Sequence, residues 1–555
     1  MSTHNISAKN ISHFKKRPLA QIMAVAFSLT AGLVSNSAFA QATYPCDITG
    51  PLVINGSNAI SGSCTISASG DLSIYGTLTN SGTLNNLGAL YTSGTLTNDG
   101  TLRNDGTLTS ENTLTNDGTL NNDGTLFNKS GTLTNDGNLT NRNRLTNTGT
   151  LTNENTLTND GTLRNDGTLT NYNTLTNDGT LNNVRVLDNI GTLTNTGALN
   201  NSYSLANYGN LTNNGTLTNT GTLRNYNAGT LTNRDRLTNS GFLDNYNILT
   251  NTGALNNSGI LSSRGRLDNS GTLSNSGSLT NDGGGLTNEG TLSNSGSLTN
   301  YGGGLTNEGI LNNSGTISNS GQIANSGTFD INATGRLTNN GPGASFTQTA
   351  GNTIVNGSIE GTGSFDIQSG DLSGTGTIAA AGGITIGANA TVNPGGDTTP
   401  GTLIMMSDVD LFGTLNTQID SSGLYDMLKV ESTVTLSDTS TFDFIFDGFM
   451  AEDGDSFAFL SAFDFNFGAS LDFDGWFDMS RFNVMGLTAG FGWSVSFIDN
   501  FADQSKMSYL SLDLIDNRVG NTPVSAPATF ALFGLALPLM GWLSRRRTKL
   551  RAQAA

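Results

Sequence analysis

The sequence predicts an all-β protein, a β-solenoid (parallel β-helix) of hexapeptide repeats. Three observations predict it. From Leu78 a leucine recurs every six residues through Leu84, Leu90, Leu96, Leu102, Leu108, Leu114, Leu120 and Leu126. The series resumes at Leu133 after a one-residue insertion and runs to about Leu337. The repeat, Gly-Thr-Leu-Thr-Asn-Asp, alternates with the period of a strand, and its glycine and asparagine content works against a helix. Self-similarity this strict marks a stack of identical units rather than a globular core.

Each unit is easily rationalised. In Thr-Leu-Thr-Asn the leucine and asparagine point to one side and the two threonines to the other. The Asp-Gly or Ser-Gly pair turns the corner, with glycine expected to supply positive φ. A four-residue strand with one leucine cannot stand alone. Stacked at about 4.8 Å, such coils form inner leucine columns and pair their backbones above and below. Asparagines can ladder in the same way.

Three hexads per coil are expected. Ser274–Leu292 and Ser293–Leu311 are near-copies offset by 19 residues, which is three hexads and one inserted glycine. Cys46 and Cys64 are 18 apart, so adjacent coils would bring them within disulfide range. Against this, Leu96–Asn128 resembles Leu157–Asn189 at an offset of 61, which leaves a two-sided, 12-residue coil open. At 18 residues per coil, residues 78–337 give about 14 coils, roughly 70 Å of stack.

The expected organisation is residues 1–40 a signal peptide, 41–77 an N-terminal cap with a disulfide, and 78–337 the hexad solenoid. Residues 338–440 form an irregular β-helix, 441–518 a Phe- and Asp-rich β cap, and 519–555 a tail with one hydrophobic helix. The leader has a basic region (Lys9, Lys15, Lys16, Arg17), an apolar run Leu19–Val34, and small residues Ala38 and Ala40 at a signal peptidase site. The run is short for a membrane span. In the tail, Val524-Ser525-Ala526-Pro527-Ala528-Thr529 precedes the apolar stretch Phe530–Leu543 and the cluster Arg545-Arg546-Arg547. Motif, helix and arginines in this order resemble the PEP-CTERM sorting signal of Gram-negative bacteria, which exosortases process. The sequence keeps Val524, Pro527 and Thr529 of V-P-E-P-x-T but has Ser525 and Ala526 in the middle. The resemblance covers about the last 30 residues and implies an exosortase-type protease as partner. It also implies a transient inner-membrane precursor and a role with exopolysaccharide at the cell surface or in the biofilm matrix. Residues 350–440, with Asn393-Pro394-Gly395-Gly396 and Pro400-Gly401-Thr402-Leu403, resemble the end of autotransporter β-helical passengers. Met405 and Met406 depart from that pattern's polar alternation.

Composition excludes much chemistry. Both histidines, His4 and His13, lie in the leader, so a mature chain has no histidine nucleophile partner and no histidine zinc ligand. No cofactor is expected. The formal charge is −18; without the four basic leader residues and five basic tail residues, 16 basic face 43 acidic, about −27. That argues against nucleic acid and suits a hydrated polysaccharide. The turn Glu452-Asp453-Gly454-Asp455 offers Asp453 and Asp455 as weak calcium candidates, with a solvated turn the plainer reading. Asp464, Asp472, Asp474 and Asp478 could include a glycosidase pair, but regular hexads leave almost no insertions to build a cleft.

The expectation is therefore an exported, non-enzymatic structural or adhesive protein of the cell surface or matrix. Two alternatives stand beside it. One is a polysaccharide-degrading β-helix. The other is an ice-binding solenoid, because outward Thr-x-Thr pairs resemble the flat arrays of ice-binding faces. Arg103, Asn121, Arg164 and Asp188 would spoil such a plane if they fell on it, and threonine is also simply a good strand residue.

Overall fold

The computed structural model describes residues 47–396, 399–468, 472–500 and 506–518. Thr77–Asn80, Thr83–Asn86 and Ala89–Thr92 are successive four-residue strands separated by two-residue corners. Each pairs in parallel with the strand three hexads on: Thr77 lies opposite Thr95, Thr83 opposite Thr101 and Ala89 opposite Thr107. The coil is three-sided, and the two-sided alternative is overturned. The offset of 61 arises because hexads are interchangeable between faces: Leu96 lies on the face begun by Thr77–Asn80, Leu157 on the face begun by Thr83–Asn86. These two are the first and second faces below, and the face begun by Ala89–Thr92 is the third. The parallel solenoid has about 19 turns, roughly 90 Å of stack at the usual strand spacing.

Insertions are absorbed at corners. The extra residue near Lys129–Gly131 leaves Thr113 opposite Thr132 and Leu114 opposite Leu133. The inserted glycines Gly283 and Gly302 adopt φ of 79° and 69°. Regular corner glycines do not, which corrects the expectation of positive φ there. Their smallness answers close approach instead. A Cβ on Gly118 would lie 2.1 Å from the Gly100 carbonyl oxygen one coil earlier. Non-glycine corners show the cost. Glycine corners such as Gly100 donate to Asn80 O at 2.9 Å, and the next residue, Thr101, donates to Gly82 O at 2.8 Å. Where Asn112, Asn155 or Arg185 sits over a glycine, the bond made by the residue after the corner stretches to 3.2 Å.

Inside, the strand leucines of the hexads from Leu78 to Leu311 are at most 1% exposed, whereas Leu87, at a corner, is 45% exposed. Beside each leucine column runs an asparagine ladder. On the second face it is unbroken from Asn86 to Gln348: each Nδ2 donates to the Oδ1 one coil on, at 2.6–2.8 Å as far as Asn325. The last step, to Gln348 Oε1, is 3.2 Å. The second amide hydrogen reaches a backbone carbonyl, as Asn177 does to Ala198 O at 2.9 Å. The third-face ladder starts at Asn128, because Thr92 and Ser110 occupy the two coils before it. The first-face ladder starts at Asn80 and meets Ser263, which accepts from Asn245 and spends its own proton on Gly265 O. Asn281 then restarts it. Within the ladders, the asparagine oxygens left without a donor are those of Asn80, Asn86, Asn128 and Asn281, the four ladder starts. One rule accounts for all four: donors point toward the C-terminus, so only a first member lacks one.

Beyond Leu337 the coils continue with longer strands. Ser364–Gly374 and Ile384–Pro394 each run through a corner and pair with one another. Met405 faces inward and Met406 outward. The stack ends in a mixed cap. Thr441–Phe446 pairs in parallel with Phe482–Met485, while Ser456–Asn466, Ser508–Asp516 and Phe491–Ile498 form an antiparallel sheet. Here phenylalanine replaces leucine, and Trp476 on a one-turn helix, Phe473–Trp476, packs against Phe442, Phe467 and Phe482. No helix among the described residues is long and apolar enough to cross a membrane. The hydrophobic helix expected in 519–555 lies outside the described residues.

Candidate binding faces

With leucine and asparagine inside, only the first and third residues of each strand and the corners meet solvent. On the first face, six consecutive coils present nothing but threonine. Their strands are Thr77–Asn80, Thr95–Asn98, Thr113–Asn116, Thr132–Asn135, Thr150–Asn153 and Thr168–Asn171, in register throughout. All twelve outward positions are filled this way. The coil after them brings Val186 and Asp188. The other faces of the same coils are mixed. The second carries Asn85, Arg103, Asn121 and Asn138; the third carries Tyr91, Phe127, Arg144 and Arg164.

Corner side chains also form columns. Leaving the first face, Asp99, Asp117, Asp136 and Glu154 follow one another coil by coil. Burial, then the neighbouring carboxylates, pushes the Asp117 and Asp136 carboxyls up. Further on, the same corner carries stacked tyrosines: Tyr208 and Tyr226 with centroids 4.4 Å apart, and Tyr226 and Tyr246 6.0 Å apart. Arg264 lies over Tyr246 and binds the buried Asp244 at 2.7 Å. These groups lean over the first face, where Ala206, Asp244 and Ser262 are buried. At the second corner Arg103 and Arg142 bridge Asp105, Asp123 and Asp160. Such exposed pairs contribute little stability each.

The candidate carboxylates serve local structure. Asp453 accepts from the Asp516 N–H at 3.0 Å and Asp455 from the Glu452 N–H at 2.7 Å. Asp472 and Asp478 cap the short helical turns, accepting from Gly475 and Ser480. The Ser480 N–H holds the Asp478 carboxyl below its usual range. Among the described residues no group of three or more His, Cys, Asp or Glu is placed to hold a metal ion. A small apolar hollow of about 50 Å³ lies at the N-terminal end, lined by Ile48, Leu52, Ile54, Cys64 and Leu72. It is far below the roughly 300 Å³ of an ordinary ligand site. Cys64 is buried on Ser63–Ile66, and the strand Asp47–Ile48 opens opposite Thr65, the residue after it. Cys46, the signal residues Ala38 and Ala40, and the tail residues Val524, Pro527, Ala528, Thr529, Arg545, Arg546 and Arg547 lie outside the described residues, and so does the expected disulfide.

One further group has no signature in the sequence. Asp426 is fully buried and accepts from the N–H groups of Gly401 and Gln418, both at 2.8 Å. Burial outweighs these donors and pushes its carboxyl up to about 7. In the unfolded chain it ionises near 3.8, so between these values the folded state holds an extra proton. The contribution is fully present below pH of about 4 and is lost as pH rises through about 7, on the order of a few kcal/mol. Melting followed across that range should show stability declining, with a shallower slope in Asp426→Asn. An unchanged slope in that variant would exclude the assignment.

A long parallel stack with repeated outer faces fits an adhesin-like repeat protein. Comparison with known families agrees: a model of the haemagglutinin repeat matches residues 276–341 and 358–402, across the end of the hexads and the coils that follow. Repeats of this kind point to a secreted or cell-surface protein. No curated protein matches the chain.

Proposed function

We propose that the protein is a non-enzymatic structural or adhesive component of the cell surface or extracellular matrix, associated with exopolysaccharide. The observation that carries this reading is the stack itself: three outer faces repeated at every coil, offering many weak polar contacts along one stiff body. The haemagglutinin-repeat match supports it. Co-sedimentation of the mature chain with exopolysaccharide from the producing cells tests it. Binding without release of new sugar ends is expected. Absence of binding would sink the matrix reading, and steady release of oligosaccharide would replace it with a degrading enzyme.

We further propose export through a signal cut after Ala40 and sorting through the PEP-CTERM-like tail, where Val524, Pro527, Ala528 and Thr529 are read by an exosortase-type protease. Arg545, Arg546 and Arg547 would hold the precursor in the inner membrane until then, and Cys46 would pair with Cys64. Mass mapping of the termini in fractionated cells decides this. A new C-terminus at or before Thr529 in the surface fraction is expected, with a mass two hydrogens short of the dithiol. Arginines 545–547 still attached in the inner membrane would overturn the sorting.

A further inference from the structure

We infer that the six-coil threonine array on the first face, residues 77–170, is an ice-binding face. The proposal goes beyond the matrix reading and does not depend on it. The expected obstacle was that Arg103, Asn121, Arg164 and Asp188 would interrupt such a plane. In the three-sided coil Arg103 and Asn121 lie on the second face, Arg164 lies on the third, and Asp188 falls one coil past the array.

Two observations separate this array from ordinary strand preference. First, the same six coils have the same local backbone on all three sides. Strand propensity alone would therefore spread threonine evenly, yet only one side is uniform and the other two carry arginine, asparagine and aromatic residues. Second, the hydroxyls are left free to bind. Among these twelve, only that of Thr113 makes a hydrogen bond, to Asn112 Oδ1 at 3.4 Å.

The chemistry of the face then selects its occupant. Its twelve strand positions hold no cation for phosphate or acidic polymer and no carboxylate for a basic partner; Asp99, Asp117, Asp136 and Glu154 stand at the corner beside it, off the strands. It has no aromatic ring or amide to seat a sugar, and no large apolar anchor of the kind that centres a protein interface. Every strand in it is already paired on both sides, so no edge remains for strand addition. What it offers is a two-dimensional lattice of methyl and hydroxyl groups, about 4.8 Å apart between coils and about 7 Å apart along each strand. A partner that meets such a lattice over its full area must itself be a lattice of small hydrogen-bonding units, and crystalline water is one. The asparagine ladders below fix the spacing in advance, so little freedom is lost on binding, and many weak contacts sum.

The test uses the mature full chain. Its partition into slowly growing ice and its thermal hysteresis are measured for the native protein, for Thr115→Tyr and Thr134→Tyr in the array, and for Thr176→Tyr on the second face. The coil already carries Tyr91 and Phe127 at the equivalent strand position on the third face, so these variants should fold, as circular dichroism and melting will show. If a tyrosine variant does not fold, Thr115→Asn replaces it, since Asn85 and Asn121 occupy that position on the second face. The native chain and Thr176→Tyr should enter ice and depress freezing, and the array variants should lose both effects. Exclusion of the native chain from ice, or equal loss in Thr176→Tyr, would overturn the proposal. Retention on a crystalline polysaccharide through the array, without ice partition, would also overturn it.

Discussion

Replacing Asn177 by aspartate should be among the most damaging single changes in the solenoid at neutral pH, and acid should partly repair it. Asn177 accepts from Asn159 at 2.6 Å and donates to Asn195 at 2.6 Å, fully buried. A carboxylate there keeps the first bond but sets an ionised oxygen against the Asn195 oxygen and leaves the Ala198 carbonyl without its donor. Burying an unpaired charge costs several kcal/mol, and each orphaned polar group about 1–3 kcal/mol. Once protonated, the introduced group regains a donor for Asn195. Its folded pKa is therefore raised, and stability should recover as pH falls below that value. Ser263→Asn should act in the opposite direction. It would supply the donor that Asn281 Oδ1 lacks and rejoin the first-face ladder, for a gain of about 1 kcal/mol. Chemical denaturation with hydrogen exchange would show both effects, centred on the coils concerned because a solenoid couples mainly nearest neighbours. A neutral result for Asn177→Asp at pH 7 would mean the ladder is not a determinant of stability.

Trp476→Ala should open the C-terminal cap. The ring is 2% exposed, meets Phe442 and Phe482 edge-on, takes the Arg481 guanidinium over its face at 4.9 Å, and donates to Ser437 O at 3.0 Å. Removing a buried tryptophan costs about 3–5 kcal/mol. The loss falls on the element that covers the last coil, so strand edges and phenylalanines would become accessible to other chains. An early melting step restricted to residues 441–516, dye binding and concentration-dependent association are expected, with the hexad coils melting as before. A single native-like transition would show that the cap is held by its sheet alone.

The solenoid was legible because its two inner columns are written in the sequence as leucine and asparagine at fixed places in every hexad. The coil count was legible only through the 19-residue near-repeat, and the 61-residue repeat pulled against it because any hexad fits any face. That interchangeability hid the binding faces. Read consecutively, Arg103, Asn121 and Arg164 interrupt the threonines; read every third hexad, they leave the first face. The need for corner glycine is legible, but within the hexads positive φ is its reason only at insertions such as Gly283 and Gly302. In regular corners the constraint is the carbonyl of the coil before, which no local pattern reveals. The cap showed itself by composition and alternation, while the one-turn helix carrying Trp476 has no periodicity to announce it. Asp426 looks ordinary in the sequence because its surroundings are assembled from distant segments, with Gly401 just before Thr402–Met405 and Gln418 on Thr414–Ser421 donating to it.

The one-way direction of the ladders gives the solenoid an electrical sense. Amide groups hydrogen-bonded head to tail add their dipoles, as peptide units do along a helix axis. Here three rows of side-chain dipoles run along the hexads, unbroken on the second face, interrupted at Ser263 on the first and begun only at Asn128 on the third. Their acceptor ends, at Asn80, Asn86 and Asn128, lie toward the N-terminus with oxygens unshared. Their donor ends, at Asn313, Asn339 and Gln348, are taken up by backbone carbonyls of Arg336, Ser364 and Asp371. The stack is thus partially negative at its first coils and neutralised at its last. A cation or an approaching chain can tell one end from the other without any charged residue being placed there.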